Sequence, residues 1–159
     1  MATSSKIKSG EIASHISIIL VTLAQFIFFT WFHKYIAWNA TGQGGNVIRL
    51  SMLTDAYFTW LPIMITGSIL VIAAYIGMII YYNHKFYKLV DISTSIIGVI
   101  IAGSLAIIFP FDFSVLPNET AIDIVPIILR AFFIALAVFY AISATIHYIK
   151  LKKHSDNPN

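Results

Sequence analysis

Cysteine is absent from the 159 residues. That one omission removes disulfides, thiolate metal sites, iron–sulfur clusters and thiol nucleophiles together, and prenyl or palmitoyl anchors with them. Charge is scarce: Asp, Glu, Lys and Arg make up 11% of the chain, against about 25% in an ordinary soluble domain. Catalytic signatures are missing too. There is no phosphate-binding glycine loop, no nucleophile elbow and no His-Glu-x-x-His. The apolar runs hold no pair of carboxylates to serve as acid and base, so the residues assign no reaction and point to a chain that is not catalytic by itself.

What fills the chain instead is apolar surface, 58% of residues with a mean hydropathy of +0.84. A single soluble core of this length cannot hide so much, so lipid must be the solvent for much of it. Four runs stand out, over residues 12–38, 57–82, 89–109 and 123–149. Each reaches the ~20 residues that cross about 30 Å of hydrocarbon at ~1.5 Å per residue. They are too long and too uniformly apolar for barrel strands, which leaves helix as the backbone that satisfies its own hydrogen bonds in lipid. The pattern predicts an all-α integral membrane protein, a four-helix transmembrane bundle over 12–149 between polar tails 1–11 and 150–159.

The first run exceeds the ~7–15 residues of a secretory signal core and ends in Trp31, Phe32, Tyr35 and Trp38, which predicts a retained helix. Gly42, Gly44 and Gly45 predict a loop over 39–55, its second half a short interfacial segment. Residues 83–88 read as a polar turn, and Pro110 stops the third span. Pro62 and Pro126 fall in opening turns, where proline does least damage.

Charge orients the bundle. With both termini and the 83–88 turn on one side, that side holds Lys6, Lys8, Lys85, Lys88, Lys150, Lys152 and Lys153, while the other holds Lys34, Arg49 and Arg130. The excess predicts cytoplasmic termini in a plasma or cytoplasmic membrane. The net charge of +3 therefore reflects topology, and no basic patch with interleaved aromatics suggests nucleic acid. Two sequons, at Asn39 and Asn118, fall on the outer side as sites for glycosylation, both close to helix ends.

Helices in lipid associate by close packing. Thr94, Gly98, Ala102 and Ala106 repeat at i+4 along the third span, with Gly103 beside them, and form a smooth face for a neighbouring helix. Ala73 with Gly77, or Ala137, Ala141 and Thr145, offer the opposing surface.

Polar groups inside spans are the default functional suspects. Gln25 lies near the middle of the first span, placed for an interhelical hydrogen bond or a ligand contact. Arg130 lies about two turns into the fourth span, where it snorkels, pairs with Asp123 or Asp112, or meets an anion. Asp91 reads as a charge favoured by a helix N-terminus. His15, His84 and His147 fall near one membrane level and form a weak candidate set for haem or a transition metal, without helical i+3 or i+4 spacing between any two. No cofactor is otherwise expected.

These features support three readings. The first is a small accessory or structural subunit of a larger membrane complex, such as a respiratory oxidase or membrane monooxygenase, with the bilayer and other membrane subunits or further copies of itself as partners. The second is a haem- or metal-binding redox subunit using the interfacial histidines. The third is a small transporter or channel with Gln25 on its path.

Overall fold

The computed structural model describes residues 9–41, 45–81 and 84–156. Residues 1–8 and 157–159, within the predicted polar tails, lie outside the described residues. The chain folds as a four-helix transmembrane bundle: α1 (Ser9–Ile27), α2 (Ala56–Ile80), α3 (His84–Ile108) and α4 (Glu119–Asp156). Each helix is long and apolar enough to cross a membrane. Successive helices pack in chain order, α1 on α2, α2 on α3 and α3 on α4, while α1 and α4 have no substantial contact among the described residues. The bundle is therefore an arc, open along one side.

Helix limits differ from the hydropathy runs for identifiable reasons. The segment predicted as a polar turn contains no glycine or proline, and α3 already begins at His84 within it. Asp91 thus lies about two turns inside α3, not at its N-terminus, and the helix-dipole role expected for it does not apply. At the other end of the chain order, the Asn118 side-chain oxygen accepts the Thr120 N–H at 2.9 Å, an N-cap that starts α4 at Glu119, a turn before the apolar run. Pro126 consequently sits inside the helix. The 38 residues of α4 extend about 57 Å at ~1.5 Å per residue, well beyond a hydrocarbon core of about 30 Å.

The predicted first loop is a β-hairpin. β1 (Ala37–Thr41) and β2 (Val47–Ser51) pair antiparallel, with Asn39 opposite Arg49. Gly45 at φ 78° takes a left-handed conformation open to glycine. The strands mix apolar and polar residues, Ala-Trp-Asn-Ala-Thr and Val-Ile-Arg-Leu-Ser, with too little alternation to stand out beside the glycines between them. Between α1 and β1, residues Phe28–Phe32 form a π-helical turn, a device that loosens the regular carbonyl ladder. The freed Phe29 carbonyl accepts the Tyr57 hydroxyl of α2, which fastens α1 to α2.

Behind that bond lies the larger core cluster, with Tyr57, Trp60, Met64 and Leu105 buried. The exit of the hairpin is laced to the α3–α4 loop, since Thr54 N–H donates to Pro110 O at 3.0 Å and Asp112 N–H to Met52 O at 2.9 Å. These bonds and the stacked Phe111 and Phe133 rings, with centroids 6.0 Å apart, close the hairpin end of the bundle.

Candidate functional site

Because α1 and α4 do not meet, the interior of the arc is a groove of about 590 Å³, within the size range of small-molecule sites. All four helices contribute walls. At the hairpin end the lining is apolar, with Phe29, Trp60, Leu105, Phe111 and Phe133. Towards the end that carries the chain termini it becomes polar.

The polar end is built around Asp91 of α3. Its carboxylate faces His147 of α4, with Oδ2 3.5 Å from Nδ1, and interacts electrostatically with His15 of α1 as well. One turn deeper, Ser95 of α3 donates to Ser143 of α4 at 3.4 Å. Tyr75 of α2 faces Thr94, Asp91 and Tyr140. The groove thus runs from an ionisable head through hydroxyls to aromatic rings. Its lining includes Gln25 in the last turn of α1, and contains no Lys or Arg among the described residues.

His15 sits beside the groove, 5% exposed. Its ring lies between Tyr75 and Tyr87, with centroids 5.6 and 5.8 Å away. Among the described residues neither ring nitrogen has a hydrogen-bond partner, a condition that costs about 1–3 kcal/mol. The side chain of His84 lies outside the described residues. The two described members of the predicted histidine set are related through Asp91, and no cluster of three His, Asp or Glu side chains suited to a metal occurs among the described residues. His33 is at the opposite end, its Nδ1 3.0 Å from the Thr30 carbonyl and its ring stacked on Tyr57.

Of the small-residue stripe, Ala102 and Ala106 are buried, and Thr94, Gly98 and Ala102 line the groove. A β-carbon on Gly98 would come within 2.8–2.9 Å of the Tyr140 ring, so the absence of a side chain there lets α4 close against α3. Arg130 forms no ion pair with Asp123 or Asp112 among the described residues; its guanidinium lies over the Phe109 ring, 4.5 Å from the centroid. Both sequon asparagines are exposed at the hairpin end, Asn39 within β1 and Asn118 engaged as the α4 cap.

No protein-family model matches the chain, and no curated protein or solved structure matches it either.

The participation of Tyr75, Ser95, Tyr140 and Ser143 was not readable in advance. Single hydroxyls scattered on separate apolar helices carry no signal until the helices are paired. One clue was available: Ser95 and Asp91 share a face of α3 with Thr94 and Gly98, so the stripe read as a packing surface was also a polar one.

Proposed function

We propose that this chain is a non-catalytic membrane protein that takes an uncharged amphipathic molecule of the lipid class from the bilayer into the groove between α1 and α4. The observation that carries this reading is the Asp91–His147 pair on the wall of a cavity lined by all four membrane-spanning helices. Polar groups in a membrane interior are costly unless they are paired or serve a ligand. Here they gather at one end of a cavity whose other end is aromatic, which matches a molecule with one hydrogen-bonding head and an apolar body. An uncharged head fits best: a phosphate or carboxylate would meet the Asp91 carboxylate with no Lys or Arg lining the groove among the described residues, and a cationic head would have to displace His147 from Asp91. With the termini cytoplasmic, as the lysine distribution supports, the head faces the cytoplasmic leaflet. The far end of the groove is lined by aromatic rings, Phe111 and Phe133 among them, which suits an apolar body better than a conducted ion.

The test is lipid extraction and mass spectrometry of the full chain purified in mild detergent, beside a Leu136→Trp variant that fills the groove. A neutral amphiphile enriched over bulk lipid in the unaltered chain and depleted in the variant is the expected result. Equal lipid content in both overturns the reading.

A second reading, an accessory subunit of a larger membrane complex, is supported by a separate observation. The most apolar stretch of α4 buries none of its residues within the chain, against 28% in the corresponding stretch of α2. A flank that unoccupied suits a neighbouring subunit. Solubilisation in mild detergent then yields a particle much larger than one chain; recovery only as a monomer removes this reading and leaves the first intact.

A further inference from the structure

A second concavity lies at the hairpin end of the bundle, on the outer flank of α4 and apart from the groove. It measures about 550 Å³ and is lined by Phe109, Pro126, Ile127, Arg130, Ala131 and Ile134. Arg130 is its one charged group among the described residues. The guanidinium is held in place by the Phe109 ring beneath it, 4.5 Å from the centroid, a cation–π contact that orients the group while leaving its donors free. Phe109 is itself fixed: its φ is 43° and its N–H donates to Leu105 O at 3.0 Å. Among the described residues no carboxylate neutralises the arginine. Asp112 accepts the Ser114 N–H at 2.9 Å, and no carboxylate lies within ion-pair distance of Arg130 among the described residues.

A cation inside a membrane span calls for a counter-charge. The remaining walls are hydrocarbon: two isoleucines, an alanine, a proline and the phenylalanine edge. A free inorganic anion has nothing to gain from such walls. A lipid has, since an acyl chain can lie along Ile127 and Ile134 while its phosphate meets the guanidinium in a charge-assisted, forked hydrogen bond. We propose that the Arg130–Phe109 depression is a binding site for the phosphate of a membrane phospholipid in the leaflet at the hairpin end. It differs in kind from the α1–α4 groove, whose lining pairs a carboxylate with His147 and holds no Lys or Arg among the described residues.

The experiment titrates dioleoylphosphatidylglycerol onto the delipidated full-length chain in detergent, followed by native mass spectrometry. Arg130→Met, Arg130→Lys and Ile134→Trp are run beside the unaltered chain, and circular dichroism checks that each is folded. The expected result is affinity about tenfold lower in Arg130→Met, partial recovery in Arg130→Lys, and loss in Ile134→Trp, which keeps the charge but fills the bed for the chain. Dioleoylglycerol, with the same chains and no phosphate, should not distinguish the unaltered protein from Arg130→Met. Equal phosphatidylglycerol binding by the unaltered chain and Arg130→Met overturns the proposal. Displacement of the lipid by millimolar inorganic phosphate, with Ile134→Trp unaffected, overturns it in favour of a free-anion site. If Arg130→Met does not fold, Ile134→Trp and the Arg130→Lys comparison decide alone.

Discussion

Gly98 of α3 and Tyr140 of α4 approach so closely that a methyl group on Gly98 would stand 2.8 Å from the Tyr140 ring. The atoms concerned include the ring's point of attachment, so turning the ring about its own axis gives no relief, and either the Tyr140 rotamer or its helix must shift. Gly98→Ala is therefore expected to loosen the α3–α4 contact by about 1–3 kcal/mol, the usual range for overpacking. Gly103, on the same helix with nothing within 4 Å, is the control. Gly103→Ala should be neutral or stabilising by up to ~1 kcal/mol, since alanine is the better helix former. Thermal unfolding of both variants in detergent measures the difference.

The hydroxyl of Tyr57 donates to the Phe29 carbonyl in the π-helical turn. Tyr57→Phe removes the donor, keeps the stack on His33 and leaves the carbonyl unsatisfied. A loss of about 1–3 kcal/mol is expected. Faster amide exchange confined to residues 28–35 would accompany it, because this bond ties α1 to α2. Unchanged exchange there would show that the turn is held by other contacts.

His15 gives the opposite expectation. Its buried imidazole has no hydrogen-bond partner among the described residues, so His15→Phe, which fits the same aromatic cage, should raise the melting temperature of the ligand-free protein. A fall in melting temperature would mean that His15 is satisfied by a bound molecule, and would mark it as part of the groove's head-group machinery.

Asp91 and His147 are predicted to act as a unit. Asp91→Asn and His147→Gln should each reduce retention of the neutral amphiphile in the lipid-extraction assay, and the double variant should do little worse than either. Additive losses would show two independent contacts.

At the hairpin end, hydrogen bonding from the Ser114 side chain, and then from its N–H, holds the Asp112 carboxyl below its ordinary value of 3.8. A carboxylate favoured in the folded state stabilises its loop above the unfolded pKa, and that contribution is lost as pH falls through the lower, folded one. The Ser114 amide resonance should therefore titrate with a midpoint below 3.8. Asp112→Asn, which keeps an acceptor but no charge, should abolish the titration.

Much of this architecture was legible in the sequence because the bilayer imposes a length on every crossing, and hydropathy reports that length directly. Asn118, a polar cap outside the apolar run, moved the start of α4 without altering hydropathy. The hairpin was hidden because strands of five residues at a membrane surface mix aromatic and polar side chains with no long alternation. The site was less legible still. Asp91 and His147 are 56 positions apart, and nothing but the pairing of α3 with α4 brings them together. Gln25 and Gly98 were conspicuous individually, one as a lone amide at mid-span and the other as a missing side chain. Their common role as groove lining depends on α1 standing away from α4.

That standing apart has a consequence for how the molecule is made. Because each helix packs on its predecessor and the ring is never closed, assembly in the membrane needs no late event that joins the first segment to the last. Each span can dock as it leaves the ribosome, and synthesis order is sufficient to set the final arrangement. A chain stopped before Glu119 has the α1–α2 and α2–α3 contacts available to it and lacks the α4 wall of the groove.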